Sequence, residues 1–328
     1  MQLRSQTQAV AAGRPVGKTQ GASGLTTDRI REGRPDLSGR VVIVTGGNSG
    51  IGLETARELA RRRARVILAC RCEERGETAV DSIKSTVDGA HVESLPLDLA
   101  GLSSVRRFVD AFKGRFDRLD ILVNNAGAMV VPFGRTEDGF ERQFGVNHLG
   151  HFALTGLLID RLLASPGSRV VTVTSAAYRF GRLSFEDLMF DRGRSYRRFG
   201  AYAQSKLANL LFALELQRRL QGAQTTSVAA HPGGTATGLG RRATERRTYR
   251  ALLPLFERLS QSTAEGARPV LRAATDPDLV GGELIAPGGR LGMRGAPAVI
   301  DAAPRGLDAI VAAQLWEISE ELTGVSFP

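Results

Sequence analysis

The residues best suited to chemistry in this sequence are a tyrosine and a lysine four positions apart, Tyr202 and Lys206, in the segment YAQSK. On a helix these positions share one face, so both side chains would project together. Tyrosine alone has a pKa of about 10, and a neighbouring ammonium lowers that pKa by favouring the phenolate. The pair predicts a tyrosine that exchanges a proton with a substrate at neutral pH. By itself YxxxK is common, and the alternative is a surface tyrosine beside a lysine.

Further polar groups, in Ser175, NNAG and Asn147, lie where a site around this tyrosine would need them. Ser175 ends the apolar run VVTVTS, and NNAG at 124–127 ends another run. If both runs are parallel strands, they end at the carboxyl edge of the sheet, where doubly wound sheets bind ligands. Asn147 lies in the helical stretch VNHLGHF, where a buried amide needs partners and can anchor a water. These positions predict a site that holds a substrate oxygen beside Tyr202.

A glycine-rich turn follows the first apolar run. Gly46, Gly50 and Gly52 lie in TGGNSGIG at 45–52, between a predicted strand and a predicted helix. Glycines let the backbone approach a pyrophosphate, and the helix start offers N–H groups and the positive end of its dipole. The segment predicts a dinucleotide-binding turn, and the alternative is a turn without a ligand.

The end of the second predicted strand indicates which dinucleotide is bound. An acidic residue there would accept hydrogen bonds from a free ribose 2′-hydroxyl, but this sequence has Cys70, Arg71 and Cys72. The planar guanidinium of Arg71 suits a 2′-phosphate, which favours NADP(H) over NAD(H). Glu73 and Glu74 follow, and we expect them in the next helix, facing away.

The elements that position these residues begin near residue 40, where short apolar runs alternate with amphipathic segments. The runs are 41–45, 65–69, 121–125, 170–175 and 226–230, and the helical segments include 52–63, 73–86 and 102–115. Buried strands separated by helices indicate a parallel sheet covered on both faces. We predict an α/β fold, a single-domain, Rossmann-like doubly wound parallel sheet with a last strand at 282–286 and a closing helix at 306–322.

The domain organisation predicted from composition is simple. Residues 1–35 lack hydrophobic periodicity and are predicted to be a disordered extension, and residues 36–328 form one domain. AGRPVGKT at 12–19 is one residue short of a P-loop and has no preceding strand, so it is rejected. Two segments at the carboxyl edge of the sheet, 177–199 and 235–261, lack core patterning, and loops held by a rigid sheet commonly carry specificity.

With these motifs in place, the chain resembles the short-chain dehydrogenase/reductase family from about residue 38 to residue 290. TGGNSGIG is similar to the family's cofactor motif, NNAG to its strand-four motif, and HPGGTAT to the motif that closes over the nicotinamide. ACR at 69–71 and VNHLGHF resemble the branch of retinol dehydrogenases and protochlorophyllide reductases.

The resemblance implies a fold, a cofactor and residue roles, and it places the substrate pocket and its lid at the two segments 177–199 and 235–261. Tyr202 would exchange the proton of a carbonyl or alcohol as a hydride moves to or from NADP(H). Lys206 would lower the tyrosine pKa and hold the ribose, Ser175 would position the substrate oxygen, and Asn147 would support a relay water. The implied cofactor-binding residues are Gly46, Asn48, Ser49, Gly50, Ile51, Gly52, Arg71, Asp98, Leu99, Asn125, Ala126, Gly127, Tyr202, Lys206, Pro232, Gly233 and Thr235.

Two other functions stay open at this point. The same tyrosine would protonate carbon if the enzyme reduced a carbon–carbon double bond, as the resemblance to protochlorophyllide reductases allows. A regulator that binds NADP without catalysis is the alternative outside enzymes. The four catalytic residues, all present, favour an enzyme that acts on a small, apolar carbonyl or alcohol.

Composition limits the partners and the compartment. The net charge of +10 comes mostly from arginine, and no nucleic-acid motif accompanies it. Arginines in the two lid segments are interpreted as a solvated basic rim, with an acidic substrate, a membrane surface or an acyl carrier protein as the alternative. No apolar run could span a membrane, and the histidines His148, His151 and His231 lack metal-site spacing. We predict a cytoplasmic protein with no metal, and a homo-oligomer is compatible with the family resemblance.

Overall fold

The computed structural model describes residues 35–234, 261–289, 292–303 and 306–327, and within these ranges eight strands form one sheet. The strands are β1 (Val41–Thr45), β2 (Arg65–Cys70), β3 (Val92–Pro96), β4 (Ile121–Asn124), β5 (Arg169–Val173), β6 (Thr226–Ala230), β7 (Leu284–Pro287) and β8 (Pro297–Ile300). Their order is β3-β2-β1-β4-β5-β6-β7-β8. The order reverses between β1 and β4, so the predicted doubly wound α/β sheet is confirmed, with its crevice at the carboxyl ends of these two strands.

The strand bounds differ from the sequence expectations at a few places. β1 and β6 coincide with the predicted runs, whereas β5 ends at Val173, so Ser175 lies beyond the strand and caps a short 3-10 helix, Ala176–Phe180. β3 and β8 were not predicted, because VESLP and PAVI are short and interrupted by polar residues or proline. β8, which adds to the predicted parallel strands, is antiparallel to β7, so the sheet is mostly parallel.

Seven helices of eight or more residues lie in the described ranges. They are α1 (Gly50–Arg61), α2 (Glu73–Lys84), α3 (Leu102–Lys113), α4 (Gly150–Leu163), α5 (Arg198–Arg219), α6 (Thr263–Thr275) and α7 (Ala309–Thr323). The three predicted early helices are confirmed, each ending two residues before its expected end. A single turn at Arg142–Phe144 and a five-residue π-helix at Gly145–Leu149 lead into α4.

The core lies on both faces of the sheet because neighbouring strand residues point to opposite sides. Val42 and Val44 pack with the apolar faces of α1, α2 and α6. Ile43 packs on the other side, where α3, α4 and α5 contribute apolar residues such as Phe108 and Phe152. Burial on both faces explains why the strands are continuous apolar runs.

Parts of the predicted organisation lie outside the described residues. Residues 1–34 of the predicted extension are not described, and neither are residues 235–260 of the second lid segment. Among the described helices, none combines the length and apolar character needed to cross a membrane.

Candidate active site

The glycine turn between β1 and α1 has a backbone that only small residues permit. Gly46 has a φ of +65° and Gly50 a φ of +56°, a region where L side chains are strained. A Cβ on Gly52 would collide with the carbonyl oxygen of Gly46. The turn therefore brings the start of α1 close against the end of β1, and its N–H groups face the carboxyl edge of the sheet.

Thr45 joins this turn to the end of β4. Its hydroxyl oxygen accepts hydrogen bonds from the backbone N–H of Asn125 at 2.8 Å and of Ala126 at 2.9 Å. The Asn125 side chain donates in return to the Thr45 carbonyl at 2.7 Å. The two segments that the sequence named as cofactor motifs are thus held together at the reversal of strand order.

The residues at this edge fit a dinucleotide. Ser49 caps α1, and its side chain makes no capping hydrogen bond to any described residue, so the hydroxyl is available to a phosphate beside the positive end of the helix. Arg71 is exposed just after β2, and Glu73 and Glu74 lie in the first turn of α2 as expected. Asp98 follows β3 and accepts from the Ala100 N–H at 2.9 Å.

Lys206 and Tyr202 lie one turn apart on α5. The Lys206 ammonium is buried, donates to the Val173 carbonyl at 3.0 Å and lies 5.9 Å from the centre of the Tyr202 ring. Ser205, between them, donates to the Tyr202 carbonyl at 2.8 Å. The bond to Val173 directs the lysine toward the end of β5, next to the 3-10 helix that Ser175 caps.

Burial controls the ionisation of both residues. It lowers the pKa of Lys206 to about 8. It also raises the pKa of Tyr202, while a hydrogen bond from Ser175 acts in the opposite direction. The lowering of the Tyr202 pKa expected from the sequence is therefore not found in the protein chain by itself, because loss of solvation outweighs the favourable interactions. The bond from Ser175 does join this residue to Tyr202, as expected.

Asn147 lies in the π-helix and is completely buried. Its Oδ1 accepts from the Ala128 N–H at 2.7 Å, and its Nδ2 donates to the Ala128 carbonyl at 2.9 Å and to the Ser205 hydroxyl at 2.8 Å. Both amide hydrogens are used by protein groups, and the relay water implied by the resemblance stays a prediction. It joins the segment after NNAG to α5.

The remaining predicted residues lie at the same edge. Gly127 is close to the lysine, since a Cβ there would lie 3.7 Å from the Lys206 Nζ. Pro232 and Gly233 follow β6, and Gly233 has a φ of +82°. Thr235, the last of the predicted set, lies outside the described residues.

The three histidines whose spacing does not fit a metal site lie in the interior. His148, His151 and His231 are all buried, and burial lowers the pKa of His148 to about 3 and the pKa of the other two to about 4. No cluster of metal-ligating side chains occurs among the described residues. Cys70 is buried and Cys72 half-buried, both as free thiols.

Three residues that sequence reasoning missed hold the wall beside NNAG. Gln143 accepts from the Val130 N–H at 2.7 Å and donates to the Tyr196 hydroxyl at 2.8 Å. That hydroxyl donates to the buried carboxylate of Glu141 at 2.9 Å. Val130 has a φ of +54°, a strained value for a β-branched residue. The bonds join residues far apart in sequence, so no local pattern could have revealed them.

The first lid segment is more ordered than its sequence suggested. Tyr178 is buried, and its hydroxyl accepts a hydrogen bond from the Ala303 N–H at 2.9 Å. The Asp187 carboxylate accepts hydrogen bonds from the backbone N–H groups of Asp191 and Arg192, in the turn that follows it. Phe180 and Phe199, by contrast, are 69% and 50% exposed and contact each other with ring centres 6.1 Å apart. The segment offers apolar surface beside arginines.

Comparisons with known proteins agree with this architecture. A family model described as short chain dehydrogenase matches residues 40–186. Retinol dehydrogenase 13 of Homo sapiens is 43% identical over 323 residues, covering 95% of this chain and 94% of the relative. Retinol dehydrogenase 12 of Mus musculus is 40% identical, covering 93% and 92%. The crystal structure of an uncharacterised protein from Mycobacterium paratuberculosis is 44% identical, with a TM-score of 0.74 over 90% of this chain and 97% of that one.

Proposed function

Because the chain belongs to the short-chain dehydrogenase family, we propose that it interconverts an apolar alcohol and its carbonyl compound with NADP(H). Tyr202 exchanges the proton of the substrate oxygen. The observation that carries the proposal is the meeting of Asn147, Ser175, Tyr202 and Lys206 beside the glycine turn. Membership of the family establishes an oxidoreductase that acts on alcohol or carbonyl groups, and the cofactor and residue roles are our proposal.

The cofactor would lie across the reversal of strand order. The glycine turn and Ser49 hold the pyrophosphate, Arg71 pairs with the 2′-phosphate, and Asp98 lies near the adenine. Asn125, Ala126 and Gly127 line the path toward Lys206. When bound, the nicotinamide supplies or takes up the hydride. Arg71 supports NADP(H) because a guanidinium forms paired, charge-assisted hydrogen bonds with a phosphate.

The residues of the chain itself transfer one proton to the substrate oxygen. The Ser175 hydroxyl holds the substrate oxygen at Tyr202, and Tyr202 donates its proton when that oxygen gains negative charge. Lys206, charged below a pKa of about 8, stabilises the phenolate that remains, because an opposite charge favours the ionised form. Burial keeps this exchange in a dry site where the attraction is stronger than in water.

The substrate is proposed to be an apolar alcohol or aldehyde. Two of the relatives are named retinol dehydrogenases, and Phe180 and Phe199 offer exposed apolar surface near the site. Retinol and its aldehyde are therefore the first probes, followed by unbranched aldehydes of decreasing length.

The experiment that tests the proposal measures turnover of the aldehydes with NADPH beside NADH, and of retinol with NADP⁺ beside NAD⁺. We expect activity on apolar aldehydes, faster with NADPH, and a loss of about 1,000-fold or more in kcat for Tyr202→Phe, while NADPH binding persists. Undiminished turnover of Tyr202→Phe would exclude this role for the tyrosine. With deuterated NADPH, label on the carbinol carbon supports the proposal, and label on a former double bond supports reduction of an alkene instead.

A further inference from the structure

His151 lies between the cofactor turn and the catalytic residues, and the role given to Asn147 and Tyr202 does not use it. Its Nε2 lies 2.9 Å from the Thr45 hydroxyl, and its Nδ1 lies 3.0 Å from the Asn147 carbonyl oxygen. The ring is 1% exposed, and it occupies the first turn of α4, directly after the π-helix.

The chemistry of the two partners determines where the ring proton lies. A carbonyl oxygen only accepts, so Nδ1 must carry the proton that it shares with Asn147. Burial lowers the pKa of His151 to about 4, so the ring is neutral near pH 7 and Nε2 is an acceptor. The Thr45 oxygen already accepts from two N–H groups, at 2.8 and 2.9 Å. Its own hydrogen has two acceptors within reach, Nε2 of His151 at 2.9 Å and the Val123 carbonyl oxygen at 3.2 Å, and the contact with Nε2 is the shorter one.

The bonds continue on both sides of the ring. Toward the cofactor turn, Thr45 holds the N–H groups that follow β4. Toward α5, Asn147 donates to the Ser205 hydroxyl, which donates to the carbonyl of Tyr202. A continuous series of protein groups therefore connects the glycine turn to the helix that carries Tyr202 and Lys206, and His151 is its central member.

We propose that His151 is a positioning residue, which in its neutral Nδ1–H form couples the cofactor turn to the catalytic helix. The inference rests on the proposed function, because it assigns a dinucleotide to the turn and catalysis to α5. Loss of the Nε2 acceptor leaves the Thr45 hydroxyl with only the longer bond to the Val123 carbonyl oxygen and disturbs the turn. Loss of the Nδ1 donor frees the Asn147 carbonyl and disturbs the position of α5.

The chain offers a matched control in His148, three residues earlier. This ring is also 1% exposed, but its Nε2 contacts the Ser319 hydroxyl of α7 at 2.9 Å, away from the site. It packs among Phe144, Phe152 and Phe212. Replacing His148 therefore removes a buried histidine from the same stretch of helix without breaking the series of bonds.

The test replaces His151 of the full chain by Asn, Gln or Leu. Asn keeps a hydrogen-bond donor near the position of Nδ1, Gln keeps an acceptor near the position of Nε2, and Leu supplies neither. For His151→Asn we expect NADPH to bind about tenfold more weakly with kcat within about threefold of wild type. For His151→Gln we expect about tenfold lower kcat with NADPH affinity nearly unchanged. His151→Leu should show both losses, and His148→Leu neither, although both Leu variants lower the melting temperature.

A second measurement does not depend on activity or on the variants. Nitrogen-15 NMR of histidine-labelled wild-type protein should show His151 as the neutral Nδ1–H tautomer near pH 7. The Nε2–H tautomer would overturn the proposal, because Nδ1 could not then donate to Asn147. Equal kinetic effects of His151→Leu and His148→Leu would overturn it as well. Wild-type protein that binds neither NADPH nor NADH would instead remove the proposed function.

Discussion

The two walls of the candidate site are held in different ways. We define the cofactor wall as residues 45–52 and 124–127. Its shape depends on the backbone, through glycines at positive φ and through two backbone N–H groups that the Thr45 hydroxyl binds. The substrate wall, defined as residues 128–144 and 176–199, is held by side chains such as Gln143, Glu141 and Tyr196. A backbone site fits one ligand shape, whereas side chains can be exchanged without changing the sheet. The difference indicates that the cofactor wall fits one ligand shape, whereas substitutions in the substrate wall can change which substrate binds.

The largest effect is expected at the glycine turn. Gly52→Ala places a Cβ against the Gly46 carbonyl oxygen, so the turn must shift and its N–H groups lose alignment. We expect NADPH affinity to fall about 100-fold, measured by fluorescence titration. The control is Gly114→Ala at the end of α3, where φ is −69° and the nearest atom would be 3.3 Å away. Normal affinity in Gly52→Ala would mean that the cofactor wall is not rigid.

The next effect distinguishes the two dinucleotides at the same wall. Arg71→Ala removes the guanidinium that would pair with the 2′-phosphate, so the KM for NADPH should rise about thirtyfold while the KM for NADH changes little. Arg107→Ala, an exposed arginine of α3, loses the same charge elsewhere and serves as the control. Equal changes for both dinucleotides in Arg71→Ala would contradict the assignment of NADP(H).

A smaller effect is expected at the substrate wall. Gln143→Leu removes the acceptor of the Val130 N–H and the donor to Tyr196, so Val130 can relax from its strained φ. The substrate KM should rise about tenfold, with NADPH affinity unchanged. Gln217→Leu, near the end of α5, loses a bond to the Ser227 N–H and controls for loss of a glutamine that binds a backbone N–H. If NADPH affinity fell instead, the two walls would not be independent.

The smallest effect concerns pH, which acts in opposite directions on His151, a neighbour of the cofactor wall, and on Glu141 of the substrate wall. Burial lowers the pKa of His151 to about 4, so between pH 4 and its usual value the unfolded chain binds a proton that the folded chain does not. The free energy of unfolding should therefore decrease as the pH is lowered through this window, by about 1.4 kcal/mol at about pH 5.5 for this histidine. Burial raises the pKa of Glu141, so protonation of this carboxyl in acid favours the folded state.

Urea unfolding near neutral pH and near pH 5.5 measures this balance. Compared with wild type, His151→Gln should lose less stability on acidification, since it removes the group that must be neutral when folded. Glu141→Gln should lose more, because the carboxyl that gains from acid is gone. Identical pH dependence in wild type and His151→Gln would show that the buried ring does not carry this effect.

Much of the site follows from local sequence. The strand β1, the glycine turn and the spacing of Tyr202 and Lys206 depend on patterns within a few residues, and all lie where predicted. The positions of Ser175 and NNAG at the sheet edge follow from the order of strands and helices. Predictions were less accurate where patterning is weak, as at β3 and β8. That residues 177–199 form part of a substrate lid stays a prediction.

The sequence by itself determined the family, the sheet and the set of chemical groups, because periodicity and motif spacing are properties of neighbouring residues. Only the tertiary structure decided what each group contacts. The bonds from Thr45 to His151 and from Gln143 to Val130 join separate elements, so they exist only after the sheet and its helices have packed. Burial is likewise a property of the whole fold. It therefore raises the pKa of Tyr202, which the sequence alone had predicted to be lowered.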